Sequence, residues 1–323
     1  MATTIKDVAK KAGVGVGTVS RVLNGGKSVN EETKERVLQA IEELKFVPNQ
    51  MASKLRKDES GIIALLVPVI DHPFFSKLAY FVEDEADKFG YSILLVSSQR
   101  KIAKESKILE RIRRREVDGA VFVTHYKHSE EELKGCPVVS IDRPLGEGIP
   151  YVTSDNYDAT KNAIKYLIEK GCKKIGYVGS KPSVESEVLK REEAYLDVMK
   201  EYGMTPRIKN DVIFHGDEIN VVNDFLDSYP DVDGVFAAGY TMAQVLCDTA
   251  LNRGIKVPDE MQIVAYDGAF GQSSNNRLLT YVEQPVEEIA RKVVRLLIET
   301  IEEREVPTRT MLKTTLKIGL TTK

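Results

Sequence analysis

Residues 4–26 read TIKDVAKKAGVGVGTVSRVLNGG, and residues 30–44 read NEETKERVLQAIEEL. Thr4 and Asp7 have the form of a capping box, a hydroxyl at the N-cap and a carboxylate three residues on. Ile5, Val8, Ala9 and Ala12 then recur at i, i+3, i+4 and i+7, one face of a helix, and Gly13 ends it. Val16, Val19, Val22 and Leu23 form a second short stripe, stopped by Asn24-Gly25-Gly26. Asn30 caps a third helix whose first-turn Glu31 and Glu32 complement the dipole. Its apolar positions are Val37, Leu38, Ile41 and Leu44. Two short helices on a tight turn with a third in support describe a helix-turn-helix unit of the DNA-reading kind. Gly13, Gly15 and Gly17 do not form a dinucleotide loop, because a charged amphipathic helix and not a strand precedes them.

Charge agrees with that reading. Residues 1–57 carry eleven Lys/Arg against six Asp/Glu, a net +5, while the rest of the 323-residue chain nets −8. A basic head on an acidic body is the asymmetry of a polyanion-binding module joined to a larger domain.

From residue 61 the pattern changes. GIIALLVPVI (61–70) is a continuous apolar run of the buried-strand type, followed by a helical stretch over 75–89 and by YSILLVSS (91–98). VDGAVF (117–122) returns as VDGVF (232–236), an offset of 115, and KKIGYVGS (173–180) takes the place of GIIALLV in the second copy. The repeat predicts an α/β body of two doubly wound parallel-sheet lobes. Its ligand lies in the cleft between them, at strand C-terminal ends. A long helix over 286–302 and a last strand return the chain to the first lobe.

The longest apolar run, 62–70, is nine residues and contains Pro68. That is far short of the ~20 a membrane span needs, so no membrane partner is expected. The N-terminus lacks the apolar core of a secretory signal. Cys136, Cys172 and Cys247 are scattered and suggest a reducing cytoplasm, with neither a disulfide framework nor a metal site. His125 and His128 have helix-like spacing without a third ligand and read as surface or pocket-rim residues. No nucleophile elbow, phosphate loop or HExxH motif is present. No catalysis and no cofactor are expected.

The string VAxxAGV…TVSRVLN, with VNEETKERVLQAIEELKFVPNQMASKLR after it, resembles the DNA-binding head of the lactose/galactose-repressor (LacI/GalR) family across residues 4–57. The resemblance implies that the second helix lies in the major groove. Val16, Gly17 and Arg21 fall on base-reading positions, and Thr4, Thr18, Ser20, Asn24 and Asn30 on phosphate-contacting ones. A guanidinium grips guanine O6 and N7 bidentately, so Arg21 is the chemically persuasive reader. Residues 49–57 become a hinge helix in the minor groove, with Leu55 as apolar wedge and Asn49 and Ala52 touching the groove.

The family resemblance continues through HPFF (72–75), IDRP (141–144), VTSDN (152–156), IGYVG (175–179), Arg191, IVAYDG (263–268) and LLTYVEQP (278–285). It implies a sugar site in which Asp142, Arg191, Asp267 and Gln284 hold hydroxyls. Ser76 and Ser154 stand at its wall, and Phe74 and Phe75 give an apolar face. Asp142 and Arg143 are alternatively a structural ion pair. His72, Gly239-Tyr240 and Gly268 depart from the family pattern. YDG together with IDRPLGEGIPYVTSDNY looks like the sucrose-operon repressors of Gram-positive bacteria, pointing to sucrose, fructose or a phosphosugar as effector.

The implied organisation is a DNA-binding head at 1–48, hinge and linker at 49–60, a first lobe of 61–158 plus about 287–318, and a second lobe at 159–286. The expected protein is a sugar-responsive repressor, a homodimer on double-stranded operator DNA. The absence of a leucine heptad tail after Leu316 argues for dimers over tetramers. Two alternatives share the fold: a catabolite-control regulator using a phosphocarrier corepressor, and a sugar-binding receptor with no DNA role.

Overall fold

The computed structural model describes residues 3–23, 29–46, 59–99, 101–212, 216–268 and 279–323. It divides into two compact units, residues 1–60 and 61–323. Asn24, Asn49, Ala52 and Leu55, and with them the hinge segment, lie outside the described residues.

The head consists of α1 (Ile5–Ala12), α2 (Val16–Leu23) and α3 (Glu31–Glu43). Asp7 Oδ2 accepts the Thr4 N–H at 2.8 Å and the Thr4 hydroxyl at 2.6 Å, fixing the start of α1. Gly13 closes it with φ +65°, a left-handed conformation costly for a residue with a Cβ. Asn30 Oδ1 accepts the Thr33 N–H at 2.9 Å and starts α3. Val8, Val19 and Val37, one from each helix, are fully buried and meet with Ala9, Ala12 and Ala40 in a small core. Leu38 departs from its expected place and is 49% exposed. The buried face runs Val37, Ala40, Ile41, Leu44, and Leu38 lies ~100° round the helix from Val37.

In the body, β1 (Ile62–Val67), β2 (Ser92–Ser97), β3 (Gly119–Phe122), β4 (Val138–Ile141), β5 (Tyr151–Ser154) and β11 (Arg309–Leu312) form one sheet, ordered β11-β5-β4-β3-β1-β2. The other contains β6 (Ile175–Ser180), β7 (Arg207–Asp211), β8 (Gly234–Ala237), β9 (Gln262–Tyr266), β10 (Thr280–Glu283) and β12 (Thr315–Lys317), ordered β12-β10-β9-β8-β6-β7. All pairings are parallel except β12 with β10. Helix α4 (Pro73–Lys88) and the late helix Val286–Ile301 pack on the first sheet. Helices Asn156–Glu169 and Lys190–Glu201 pack on one face of the second sheet, and Glu218–Ser228 and Tyr240–Asn252 on the other.

The repeated VDG has a physical basis. Asp118 Oδ2 accepts the Gly61 N–H at 2.6 Å, and the Asp233 carboxylate accepts those of Lys173 and Lys174 at 2.8–3.0 Å. Each aspartate therefore ties down the start of the neighbouring strand. A Cβ on Gly119 would come within 2.9 Å of Leu297, and one on Gly234 within 2.8 Å of Cys172. Both glycines let packing close on the strand.

The last strand corrects one expectation. Residues 309–312 do join the first sheet, but Thr315–Lys317 runs antiparallel to Thr280–Glu283 in the second. The end of the chain is stitched there by Thr280 N–H to Thr321 Oγ1 (2.9 Å) and Lys323 N–H to Gln262 Oε1 (2.9 Å). Residues 315–318 thus belong to the second lobe, and the polypeptide crosses between lobes three times, at 154–156, 284–286 and 312–315. No described helix is long and apolar enough to cross a membrane.

Candidate functional site

A cavity of about 400 Å³ opens between the lobes. Its walls come from the C-terminal ends of β1, β3 and β4 in the first lobe and of β6, β9 and β10 in the second, where parallel sheets present their loops. Of the expected effector residues, Phe74, Phe75, Asp142, Arg191, Asp267 and Gln284 line it.

The duplication fixes the two carboxylates. Asp142 follows β4 and Asp267 follows β9, the fourth strand of each repeat, and both adopt left-handed backbones with φ +59° and +65°. Each donates its N–H to the next strand, Asp142 to Val152 O at 2.9 Å and Asp267 to Val282 O at 3.0 Å. This kink turns both side chains off their sheets. Gln284 Nε2 donates to both Asp267 oxygens (2.9 and 3.1 Å) while its Oε1 accepts from Ser154 Oγ (2.7 Å). Ser154 therefore acts behind the wall, orienting Gln284. Thr153 Oγ1 donates to Asp142 Oδ1 at 2.7 Å.

Arg191, 5% exposed, donates from Nε to Asn156 Oδ1 at 2.7 Å, and its guanidinium carbon stands 3.4 Å above the Tyr266 ring. Cation–π and hydrogen-bond partners together hold the fork rigid. Burial pushes the Asp267 carboxyl up to about 6, against the opposing pull of Arg191 and Gln284. Burial raises Asp142 as well, with Arg191 pulling it back. The cleft thus has acceptors and planar donors beside the apolar side chain of Phe75, while Phe74, which also borders it, is 6% exposed and packs into the core of the first lobe.

Ser76 is not brought to this cavity. Its hydroxyl donates to the carbonyls of Ile70 (2.7 Å) and His72 (3.2 Å), bracing the start of α4. Asp142 and Arg143 form no ion pair. Arg143 is 5% exposed, lines the cleft, and its Nε and Nη1 have no hydrogen-bond partner among the described residues. Burying donors without partners is costly, which makes Arg143 a candidate ligand-facing group. Asn156 and Tyr266 are further site residues not assigned from sequence. They sit inside quoted motifs, but only folding shows that they brace Arg191. His125 lines the cavity, whereas His128 is a correction: it is 2% exposed, with Nε2 2.7 Å from Glu105 Oε2. The loop after β3 folds back so that its ring packs edge-on against Phe122. Gly268 also gains a reason, since a Cβ there would lie 2.1 Å from the Tyr281 ring. Among the described residues no group of three His, Cys, Asp or Glu can hold a metal ion.

On the head, Val16, Gly17 and Arg21 are exposed on α2, with Thr18 and Ser20 partly so. Arg21 Nε rests on Gly17 O at 3.2 Å within its own helix, leaving the reading face open. Thr4 and Asn30 are exposed at the starts of α1 and α3, where backbone N–H groups point outward.

A helix-turn-helix head followed by a two-lobed body with a sugar-type cleft defines a ligand-controlled DNA-binding regulator. Comparison with known proteins supports this class. Residues 4–49 match the model of bacterial regulatory proteins of the lacI family, and residues 60–319 that of periplasmic binding proteins and the sugar-binding domain of the LacI family. The chain is 38% identical to the ribose operon repressor of Halalkalibacterium halodurans over 98% of both chains. It is 30% identical to the sucrose operon repressor of Streptococcus mutans over 95% of both. A solved transcriptional regulator CelR–cellobiose complex superposes with a TM-score of 0.73 at 28% identity, covering 99% of each chain. The chain belongs to the LacI family of bacterial transcriptional regulators: it binds operator DNA through its head and a sugar effector through its body.

Proposed function

We propose that this protein is a cytoplasmic homodimeric repressor whose grip on a two-fold operator is set by an uncharged sugar of the ribose class. One observation carries the choice: the acceptors Asp142 and Asp267 stand in one cleft with the planar donors of Arg191 and Gln284, a pairing that suits sugar hydroxyls. The names of the more similar relatives support ribose over sucrose, with ribose operon repressors at 38% and 34% identity against 30% for a sucrose operon repressor. Thr4, Thr18, Ser20, Asn24 and Asn30 hold phosphates, Val16, Gly17 and Arg21 face base edges, and Asn49, Ala52 and Leu55 enter the minor groove. The protein binds its effector without transforming it.

The deciding experiment is titration of a labelled fragment of the protein's own promoter, with and without ribose, sucrose, fructose and their phosphates. Ribose alone should change operator affinity. A response only to a phosphosugar would overturn the uncharged-effector reading. A response only to an added phosphorylated carrier protein would favour the catabolite-control alternative.

A further inference from the structure

The loop after β6, which itself lines the cavity, reaches from the second lobe onto the first. Ser186 Oγ and the Glu187 N–H both donate to the Asp142 carbonyl, each at 2.9 Å. The Glu187 carboxylate is then held from below. Tyr151 OH donates to its Oε1 at 2.8 Å, Arg309 Nε lies 3.1 Å from the same oxygen, and Arg309 Nη2 donates to Oε2 at 3.2 Å. Tyr151 and Arg309 are register partners on adjacent parallel strands of the first sheet. They therefore present a paired phenol and guanidinium to one carboxylate of the other lobe. Glu187 is only 14% exposed at its side chain and Arg309 49%.

We propose that Glu187 is a positioning residue that couples lobe closure to the effector site: its carboxylate latches the second lobe to Tyr151 and Arg309, and its backbone holds Asp142 in ligand-binding shape. The left-handed backbone of Asp142, at φ +59°, is sparsely populated for a residue with a Cβ and persists only when its surroundings hold it. The two donors to its carbonyl come from the opposite lobe. Separation of the lobes removes both and leaves the turn to its same-lobe partners Val152 and Thr153, so a ligand that needs Asp142 in place favours the closed arrangement. Reciprocally, a latch that favours closure raises ligand affinity, as linkage requires. An isolated exposed ion pair would contribute little. Here the phenol, a two-pronged guanidinium and two main-chain-directed bonds act on one short segment, and the Tyr151 phenol stays protonated because burial and Glu187 push it up to about 12.

The role of Asp142 as a sugar ligand rests on the function proposed above, and the experiment separates the two. Spin labels placed on exposed positions of the two lobes report the interlobe distance in full-length protein without any sugar, and calorimetry then reports ribose affinity. Glu187→Gln and Arg309→Gln should each broaden the distance distribution toward wider separations and weaken ribose binding by about fivefold or more. The charge-reversed pair Glu187→Arg with Arg309→Glu should recover part of both. Unchanged distances and unchanged affinity in properly folded single variants, checked by circular dichroism, would overturn the latch. Widened distances in a protein whose wild type binds no ribose would leave the latch standing and remove the ribose reading.

Discussion

Arg21 and Asp267 are the residues proposed to carry the two recognitions of this molecule, and each makes a separate prediction. Arg21 stands exposed on the reading helix. Arg21→Ala should cost about 1–3 kcal/mol on operator DNA and much less on random duplex. Equal losses in fluorescence anisotropy on both would reduce Arg21 to a phosphate contact. Asp267 has a carboxyl raised by burial to about 6. A buried acid so raised holds its proton longer folded than unfolded, so its contribution to stability falls as pH climbs from about 4 to 6. Sugar binding should show the opposite slope, because only the ionised form accepts hydroxyls at both oxygens. Ribose affinity should therefore rise about tenfold from pH 5 to pH 7 and level off above. A flat calorimetric profile would mean that the carboxyl binds in its neutral form.

Among elements, the strands and helices show what sequence can and cannot reveal. Continuous apolar runs and the VDG repeat made the two sheets legible, because a buried parallel strand tolerates little else and each repeated Asp and Gly has a local task. The capping signatures of Thr4, Asp7, Gly13 and Asn30 likewise act within a few residues of themselves. The antiparallel Thr315–Lys317 was not legible, since nothing local states which of two sheets an edge strand joins. Tyr266 and His128 were missed or misjudged for the same reason, since their tasks depend on Arg191 and Glu105 far along the chain, and the open donors of Arg143 show only once the cleft has folded around it. Packing demands are equally specific. A Cβ on Gly176 in β6 would lie 2.3 Å from the Phe225 ring, which the helix Glu218–Ser228 brings over the strand. Gly176→Ala should destabilise the protein by about 1–3 kcal/mol in urea unfolding, with little change in the affinity of the folded fraction for operator.

At the scale of the whole molecule, ligand binding and stability are one measurement. A sugar that binds only the folded body stabilises it by about 2.7 kcal/mol at a hundredfold excess over Kd. Ribose should accordingly raise the melting temperature of the wild type, and Arg191→Ala, which removes the braced fork, should abolish that rise while the protein still folds. A retained rise would place the ribose elsewhere.

The three passages between the lobes, strand to helix at 154–156 and at 284–286 and strand to strand at 312–315, have a mechanical consequence. Three parallel straps fastened side by side behave as a door hinge: they resist sliding and twisting and leave a single swing compliant. Whatever small molecule occupies the jaw, its message is reduced to one angular coordinate. The chemistry of the mouth can then be redrawn through mutation without redesigning the linkage that carries the message to DNA, which accounts for one body plan serving relatives named for ribose and for sucrose alike.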